Sequence, residues 1–505
     1  MYKRQLRGTV PVLALADVPE AGVDRGPAEP ARPGQAAYVI FTSGSTGTPK
    51  GVVVTSAGML NNQLSKVPAL ALGMDDVIRQ TASQSFDISV WQLLAGLLCG
   101  ACVDIVPDAV ARDPQALIRH ANARGITVLE CVPALIQGML MGQAEDMPRL
   151  RWMLPTGEAS PAALARTWFE RYPGVPLINA YGPAECADDV ALHRLDTAPT
   201  DAGAALPIGR ATDHTRLYVL DANLAPTPAG VIGELCVAGV GVGRGYLAQP
   251  GLSADRFVAD PWALTPGARM YRTGDLARWR SDGVLEYAGR RDHQVKVHGF
   301  RIELTEIDAV LARQPGIRQA ITTVRDDGQG RRLVAYVVPV DPAAAMEGGR
   351  QDWWQPAREG LAAALPAYMV PTVWMTLDRL PQTPNGKIDR KGLPAPDPLR
   401  TGREHVAPEG PLQQQLARIW GDVLGVAQVG RHDSFFELGG HSLLVMRVVA
   451  RIQVDLGLEV PLVALFESPT LAAFAEAVDR AGARAQSQDR ALQDIGAFID
   501  TLETH

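Results

Sequence analysis

The feature that most constrains the fold is an alternation of strand-like and helix-like segments between about residues 36 and 290. Short runs rich in β-branched residues recur there, and amphipathic segments such as 113–124 and 160–171 separate several of them. This alternation is typical of an α/β domain with a largely parallel sheet. The runs after about residue 216 are short and interrupted by glycine, which predicts a β-rich part beside that sheet. The candidate strands are VDIVP (103–107), TVLECVP (127–133), PLINAYG (176–182), RLYVLD (216–221) and GELCVAG (233–239).

The pattern changes after GRRDHQ (289–294), where strands and helices follow one another in a compact α+β unit of about a hundred residues. A proline-rich stretch at 393–411 is typical of an interdomain linker. Helical patterns beyond the linker predict a small helical bundle. The expected elements are the strand VKVHGF, a helix at 305–313, strands at 317–325 and 332–340, a helix at 355–364, a helical face formed by Leu412, Leu416, Ile419, Trp420 and Val423, and helices at 442–456 and 470–480.

Length, charge and cysteine content narrow the classes of protein. A chain of 505 residues is long enough for about three domains, and its net charge of −7 gives no electrostatic reason to expect nucleic acid or an anionic membrane as a partner. No apolar run reaches transmembrane length, and no signal peptide opens the chain. We interpret MYKRQ, which has no structural pattern, as an appended leader. The five cysteines are odd in number and lie in apolar segments, so we expect reduced thiols and a cytoplasmic location.

The run FTSGSTGTPKG (41–51) is rich in hydroxyl groups and glycine. It lies between the strand-like runs AAYVI and VVV, so a hairpin there turns several N–H groups toward one oxyanion, which is typically phosphate. It is not a kinase-type P-loop, because Pro49 precedes Lys50 and a strand follows instead of a helix. An ordinary flexible turn is the alternative for this stretch alone.

Four further motifs follow the Gly/Ser/Thr run in the chain. Glu185 in NAYGPAE (179–185) is a hard oxygen ligand suited to Mg²⁺, and Asp275 in YRTGDLARW (271–279) is suited to two vicinal ribose hydroxyls. The stretch GRRDHQVKVHGFRIEL (289–304) joins two lobes, and PNGKIDR (384–390) places Lys387 on a turn. Each motif alone has an ordinary interpretation as a turn or a solvated lysine. Five such motifs in this order are not a coincidence.

With GELCVAGVGVGRGYL (233–247), LPAYMVP (365–371) and DSFFELGGHSLL (433–444), the chain resembles a nonribosomal peptide synthetase adenylation domain followed by a peptidyl carrier domain. The resemblance lies within the acyl-adenylate-forming superfamily and covers nearly all of residues 8–480. It implies a multidomain fold with an incomplete α/β large lobe and its β-rich part, an α+β small lobe, and a four-helix-type carrier bundle. The implied division is a foreign or disordered leader (1–7), a large lobe (8–291), a small lobe (292–396), a linker (397–408), a carrier domain (409–480) and a tail (481–505).

The resemblance implies that the chain activates an amino acid with ATP and Mg²⁺ as aminoacyl-AMP and loads it onto 4′-phosphopantetheine of its own carrier. A carboxylate is already the nucleophile at neutral pH, so charge neutralisation and positioning supply the catalysis. The implied roles are phosphate binding by Thr42, Ser43, Gly44, Ser45, Thr46, Gly47 and Lys50, adenine binding by Asn179 and Tyr181, ribose binding by Asp275 and Arg290, Mg²⁺ binding by Glu185, catalysis by Lys387, a hinge at Asp292, and phosphopantetheine attachment at Ser442.

The implied substrate pocket contains several carboxyl groups. By family position, Asp87 in SFDISVW (85–91) pairs with the substrate's α-ammonium. Buried carboxylates without a partner are unfavourable, so we expect the pocket to receive a cationic side chain, and Trp91 favours a short one. The set resembles pockets that select 2,4-diaminobutyrate, with ornithine next, although two adjacent aspartates are in isolation usually a solvated loop. The remaining residues expected to line the pocket are Ile88, Glu130, Leu154, Thr156, Ala180, Asp188 and Asp189.

The sequence also departs from the family pattern. Ala184 replaces the usual threonine before the Mg²⁺-binding glutamate, and Ser56 replaces a usual histidine. Two motifs that normally precede the phosphate loop are absent, which we interpret as truncation of roughly the first quarter of the adenylation domain. We therefore keep two alternatives: an acyl-CoA synthetase-like ligase, which Asp87 and the fused carrier disfavour, and an inactive remnant in which only the carrier is competent.

Several partners follow from the resemblance. They are a phosphopantetheinyl transferase, upstream and downstream synthetase modules, and a small MbtH-like helper protein. In the tail, Leu492, Ile495, Ile499 and Leu502 share one helical stripe, which predicts a helix that docks a partner chain or folds back on the carrier.

Overall fold

The longest strands of the protein, Arg269–Trp279, Ile317–Asp326 and Arg331–Pro339, all lie after residue 230. The structure is a computed structural model, and it describes residues 32–481 except 44–48, 112, 142–144, 201–204, 292–293, 298–299, 327–330, 342–352, 383–387, 391, 396–405, 427, 436–437, 439, 441, 459, 461–463 and 466–467. The strands in these residues are β1 (Ala36–Thr42), β2 (Lys50–Thr55), β3 (Val77–Gln80), β4 (Cys102–Ile105), β5 (Val128–Cys131), β6 (Trp152–Pro155), β7 (Leu177–Tyr181), β8 (Ala191–Leu195), β9 (Arg210–Ala211), β10 (Thr215–Leu220), β11 (Gly233–Gly239), β12 (Gly245–Tyr246), β13 (Phe257–Ala259), β14 (Arg269–Trp279), β15 (Leu285–Arg290), β16 (Gln294–Val297), β17 (Phe300–Glu303), β18 (Ile317–Asp326), β19 (Arg331–Pro339) and β20 (Val373–Thr376).

Helices separate most of the early strands and dominate the C-terminal part of the chain. In the described residues, no helix combines the length and the apolar character needed to cross a membrane. The helices are α1 (Ser56–Ala69), α2 (Ile88–Cys99), α3 (Asp108–Ala111), α4 (Pro114–Arg124), α5 (Pro133–Met141), α6 (Ala162–Arg171), α7 (Pro250–Arg256), α8 (Leu304–Leu311), α9 (Gln355–Ala364), α10 (Gly410–Leu424), α11 (Ser442–Leu456) and α12 (471–481).

The largest sheet has the strand order β4-β3-β5-β6-β7-β8-β9. The pairs from β4 to β7 are parallel, and the two pairs formed by β8 are antiparallel. Strands β5 and β6 are buried along their whole length, as expected where helices cover both faces of a parallel sheet. The predicted α/β domain with a largely parallel sheet is therefore confirmed, and the carboxyl ends of β5, β6 and β7 meet at one edge.

Local signals explain where the helices of this unit begin and end. The side chain of Asp113 accepts hydrogen bonds from the N–H groups of Gln115 and Ala116, which caps α4. Gly125 ends the helix in the left-handed region at φ 63°, a conformation that glycine adopts without steric cost. The helical segments predicted at 113–124 and 160–171 correspond to α4 and α6.

Two antiparallel sheets flank the parallel one. Strands β1, β2 and β12 form one of them, and β10, β11, β14 and β13 form the other, with β15 also paired to β14. Their buried residues share one core that includes Val52, Tyr181, Leu235 and Tyr271. The β-rich part expected after residue 216 is present, and it packs against the end of β7.

The segment after residue 293 contains a hairpin, β16 and β17, and a second sheet in which β18 and β19 are antiparallel and β20 joins β19 in parallel. Helices α8 and α9 cover it through a common apolar core. The sequence predicted VKVHGF as one strand, but its residues belong to both strands of the hairpin, where Val297 pairs with Phe300. Strand β20 was not predicted.

The C-terminal helices α10, α11 and α12 enclose a separate core in which Trp420 packs edge-on against Phe435 at 5.0 Å between ring centroids. Trp420 also packs against Phe474 of α12, at 5.9 Å. The predicted helical bundle is confirmed. The predicted tail helix, with Leu492, Ile495, Ile499 and Leu502, lies outside the described residues.

Candidate active site

The Gly/Ser/Thr run connects two paired strands, as predicted. In the β1–β2 hairpin, Thr42 is the register partner of Lys50. The Thr42 hydroxyl is buried and has no hydrogen-bond partner in the described part of the chain. Ser43 donates a hydrogen bond to the main-chain oxygen of Arg301, at 2.8 Å. The base of the hairpin therefore carries polar groups that face the site, and Gly44, Ser45, Thr46 and Gly47 lie outside the described residues.

Glu185 is the centre of a buried charge cluster beside this hairpin. It lies in a 3₁₀ turn (Ala184–Cys186) just after β7 and is fully buried. One carboxylate oxygen is 3.2 Å from Lys50 Nζ and accepts a hydrogen bond from the Tyr246 hydroxyl at 2.9 Å, and the other is 2.9 Å from Arg301. Burial opposes ionisation, but the charges of Arg301 and Lys50 outweigh it and hold the pKa of Glu185 well below its ordinary value.

The chemistry of Glu185 suits the predicted Mg²⁺ role, with one condition. Mg²⁺ is commonly held by one or two carboxylates together with substrate phosphates and water. In the described residues no cluster of three or more His, Cys, Asp or Glu side chains forms a self-contained metal site. Glu185 thus fits as a single carboxylate ligand that shares the ion with phosphate. Arg301 already pairs with one of its oxygens, so a cation at that oxygen must share it with the guanidinium or displace the guanidinium.

Three of the residues predicted to bind the nucleoside also meet. The Tyr181 hydroxyl donates a hydrogen bond to Asp275, at 2.5 Å, and Arg290 forms an ion pair with the other oxygen of Asp275, at 2.6 Å. Burial and the neighbouring Asp275 charge raise the pKa of Tyr181 well above its ordinary value, so the phenol stays protonated. Asn179 Nδ2 donates to the main-chain oxygen of Pro207, at 2.8 Å.

The β16–β17 hairpin closes over this region. Phe300 packs edge-on against Phe86, at 5.5 Å between ring centroids, and stacks on Tyr368 at 3.9 Å. Lys296 Nζ lies 5.9 Å from the centre of the Tyr181 ring. Together with the contacts of Arg301, these interactions place the hairpin directly against the predicted phosphate and nucleoside residues.

The predicted substrate-pocket residues come from neighbouring elements. Asp87 caps α2 by accepting a hydrogen bond from Ile88 N–H, at 3.1 Å. Trp91 of the same helix is fully buried and donates its indole N–H to Glu130, at 2.6 Å. Glu130 on β5 pairs in register with Leu154 on β6. Thr156 follows β6, Ala180 lies on β7, and Asp188 and Asp189 follow the 3₁₀ turn that contains Glu185.

The argument that the pocket carboxylates lack a partner is wrong for two of them. Lys66 of α1 reaches Asp188 at 2.5 Å and Asp189 at 2.9 Å, and its ammonium lies 4.3 Å from the centre of the Trp91 ring. Lys66 is only 1% exposed. Burial opposes its charge, yet Asp188 and Asp189 raise the pKa of Lys66 above its ordinary value. The chain therefore supplies one cation to this cluster.

Two other carboxyl groups of the pocket, those of Glu130 and Asp87, have raised pKa values. Burial and the Asp189 charge raise the pKa of Glu130 to about 8, although Lys66 acts in the opposite direction. Burial, reinforced by Asp189, raises the pKa of Asp87 to about 6. Both carboxyls therefore keep their protons to a higher pH than they would in solution, and the rise is larger for Glu130 than for Asp87.

Some predicted residues receive no structural description. Asp292 and Lys387 lie outside the described residues, and Ser442 begins α11 with a side chain that is likewise outside them. Sequence reasoning missed several residues that contact the site, among them the charged or hydroxyl-bearing Lys66, Tyr246 and Arg301. Tyr246 and Arg301 lie in the motifs GRGYL and GFRIEL. A charged or hydroxyl side chain within such a motif could have indicated a site residue. No local pattern marks Lys66.

Comparisons with known proteins agree with this arrangement. Residues 5–247 match the AMP-binding enzyme family, residues 306–387 match the AMP-binding enzyme C-terminal domain, and residues 414–478 match the phosphopantetheine attachment site family. The chain is 44% identical over 456 residues, or 90% of its length, to a dimodular nonribosomal peptide synthase of Bacillus subtilis (strain 168). It is 43% identical over 478 residues, or 93% of its length, to phosphinothricin tripeptide synthetase PhsB of Streptomyces viridochromogenes.

The chain spans 18% and 39% of the lengths of these two relatives. Among solved structures, it resembles holo-PA1221, described as a nonribosomal peptide synthetase protein with adenylation and PCP domains bound to a vinylsulfonamide inhibitor. The TM-score is 0.74 at 28% identity, over 92% of this chain and 76% of that one. The chain therefore belongs to the AMP-binding enzymes of nonribosomal peptide synthetases, with an adenylation domain followed by a carrier domain of the phosphopantetheine-attachment type.

Proposed function

We propose that the chain adenylates an amino acid with ATP and transfers the aminoacyl group to the phosphopantetheine thiol of its own carrier domain. The observation that carries this proposal is the convergence of the phosphate hairpin, Glu185 and Asp275 at one edge of the parallel sheet. Crevices at the carboxyl ends of parallel strands are the usual place for nucleotides in α/β folds. The family membership agrees with an ATP-dependent ligase.

In the first step, the amino acid's carboxylate oxygen attacks the α-phosphorus of ATP. A bond from oxygen to phosphorus forms, and the bond to the pyrophosphate leaving group breaks. Both reactants are anions, so the site must neutralise charge and hold them in line. Lys50, at the end of the hairpin, supplies a buried cation for the phosphates, and we assign Lys387 to the α-phosphate and attacking carboxylate. Glu185 would hold Mg²⁺, and the bound ion would further neutralise the charge of the phosphate oxygens.

In the second step, the aminoacyl group of the adenylate would pass to the carrier domain. A phosphopantetheine group on Ser442 would supply the thiol nucleophile for the thioester, with AMP as the leaving group and the thiol proton released to solvent. We assign attachment of the prosthetic group to Ser442, because a helix N-terminus offers free N–H groups and a favourable dipole to a phosphodiester. Treatment with a phosphopantetheinyl transferase and CoA should add one prosthetic group at Ser442. An unmodified Ser442 peptide after complete reaction would contradict the assignment.

We propose that the substrate has a short cationic side chain, with 2,4-diaminobutyrate preferred and ornithine next. Three carboxyl groups, Glu130, Asp188 and Asp189, surround a single lysine, so one internal cation cannot neutralise all three in their ionised forms, and burial together with the Asp189 charge raises the pKa of both Asp188 and Glu130. The large, fully buried Trp91 ring lies against Glu130 and Lys66, which favours a short substrate side chain over a long one. A site built for an ammonium rejects an uncharged analogue strongly, because its own polar groups are then left unpaired.

The test is amino-acid-dependent exchange of pyrophosphate into ATP by the full chain. The panel contains 2,4-diaminobutyrate, ornithine, lysine, 2-aminobutyrate, leucine and phenylalanine. We expect diaminobutyrate to exceed 2-aminobutyrate by at least tenfold in kcat/KM. Fastest exchange with leucine or phenylalanine would contradict the pocket assignment but leave the reaction class intact. No exchange with any amino acid would contradict the reaction for this chain.

The proposal extends to partners and location. A carrier domain requires a phosphopantetheinyl transferase, and we propose neighbouring synthetase modules that supply or accept the aminoacyl chain, with a small MbtH-like helper as a further partner. The five cysteines are free thiols, which supports a reducing compartment such as the cytoplasm.

A further inference from the structure

Helix α1 presents its polar side chains to the protein interior. Asn62, Gln63, Ser65 and Lys66 are buried, whereas Leu60 and Leu64 of the same helix are 45% and 51% exposed. A helix on a globular domain normally buries its apolar face. The reversed burial indicates that the inward groups of α1 have a specific role in this part of the protein.

The polar face of α1 holds the segment that carries Asp188 and Asp189. Asn62 Nδ2 donates to the main-chain oxygen of Asp189, at 3.2 Å, and Lys66 contacts both carboxylates. Asp188 has φ 79°, in the left-handed region that non-glycine residues seldom adopt. A Cβ atom on Gly182 would lie 1.8 Å from the main-chain oxygen of Asp188, so this segment lies directly against the end of β7.

Lys66 divides the carboxyl groups of the pocket into two classes. Asp188 and Asp189 have a counter-ion inside the chain. Glu130 accepts hydrogen bonds from Trp91 and Gln92 on one oxygen only, at 2.6 and 3.0 Å. Its other oxygen is buried and has no hydrogen-bond partner in the described residues. A buried polar atom without a partner is unfavourable until a ligand or water meets it.

We propose that Lys66 is a specificity-determining residue, which takes Asp188 and Asp189 as its own counter-ions and leaves Glu130 as the carboxyl that meets the substrate side chain. This inference rests on the proposed adenylation of a short cationic amino acid. Lys66 supplies a positive charge that a longer substrate would otherwise supply. In this proposal, its ammonium takes the place of the terminal ammonium of a longer diamino acid. A short side chain therefore suffices to complete the charge balance of the cluster.

The test compares the substrate ranking of the full chain with that of Lys66→Ala in pyrophosphate exchange. Removing the lysine leaves Asp188 and Asp189 without a cation and opens space in front of them. We expect the ratio of kcat/KM for ornithine or lysine over diaminobutyrate to rise at least tenfold, because the longer ammonium replaces the lost one. Arg151→Ala, which breaks the ion pair with Asp76 away from the pocket, is the matched control and should keep the original ranking.

A second variant covers the case in which Lys66→Ala does not fold. Asp188→Asn keeps Lys66 paired with Asp189 and makes the cluster less negative, and asparagine tolerates the left-handed backbone. Its discrimination of diaminobutyrate over 2-aminobutyrate should fall at least tenfold. If both variants lose activity equally for all substrates and keep the original ranking, the role of Lys66 is refuted, while the proposed adenylation is not. Absence of exchange by the unmodified chain would instead overturn the proposed function and this inference with it.

Discussion

Asp87 offers the sharpest single perturbation of the proposed reaction. Its carboxylate caps α2 through the N–H of Ile88, at 3.1 Å, and it is expected to pair with the substrate's α-ammonium. Asparagine keeps an oxygen for the helix cap and removes only the negative charge. Asp87→Asn should therefore weaken the amino acid's interaction while leaving the helix in place.

The expected size of the effect follows from the loss of a charged pair. Truncating one partner of a buried charge pair typically costs about 2–5 kcal/mol. At about 1.4 kcal/mol for each factor of ten, this corresponds to roughly a 30-fold to several-thousand-fold fall in kcat/KM for the amino acid. Because burial and Asp189 raise the pKa of Asp87 to about 6, the ionised form disappears as the pH falls below that value. The kcat/KM of the unmodified chain should then fall about tenfold per pH unit, and that of Asp87→Asn should not.

The assay is pyrophosphate exchange at saturating ATP between pH 5 and 8. Asp196→Asn is the matched control, since Asp196 is exposed and pairs only with the exposed Arg194 in the described residues. The matched substrate is 4-aminobutyrate, which lacks the α-ammonium of 2,4-diaminobutyrate. The unmodified chain should have a much lower kcat/KM for 4-aminobutyrate than for 2,4-diaminobutyrate, and in Asp87→Asn this difference should be much smaller. Equal discrimination by both proteins, or a pH-independent kcat/KM in the unmodified chain, would refute the assignment of Asp87.

Three further predictions address the rest of the site. Lys387→Ala should lower pyrophosphate exchange by roughly 10²–10³-fold, the typical effect of losing a transition-state contact, yet leave thioester formation from supplied aminoacyl-AMP unchanged; near-normal exchange would contradict it. Arg301→Gln frees one oxygen of Glu185, so the Mg²⁺ concentration for half-maximal exchange should fall, and an unchanged or higher requirement would refute competition at that carboxylate. Folding raises the pKa of Glu130 from 4.5 to about 8, so between these pH values Glu130 keeps its proton in the folded chain and loses it in the unfolded chain. The free energy of unfolding should therefore decline as the pH rises through this interval. Melting curves at pH 6 and 9 should show this decline in the unmodified chain and a smaller one in Glu130→Gln; equal declines would contradict the shifted pKa.

Much of the fold could be predicted from local patterns. The capped segment ending at Gly125 and the fully buried strand that contains Val128 carry their structure in adjacent residues, since caps and burial periodicity act over a few positions. The hairpin β16–β17 and strand β20 were less accessible. Each is short, and pairing with a partner strand decides whether such a segment is a strand at all.

The sequence by itself determined the class of the protein and the position of its motifs, because phosphate, metal and ribose binding each require particular residue types in a compact stretch. The tertiary structure alone decided which charges compensate one another. Lys66 lies 122 positions before Asp188, and Arg301 lies 116 positions after Glu185. The apolar pattern of α1 would direct Leu60 and Leu64 inward, and the structure instead buries Lys66. Coulomb interactions depend on distance and burial in space, and neither quantity is encoded in the spacing of residues along the chain.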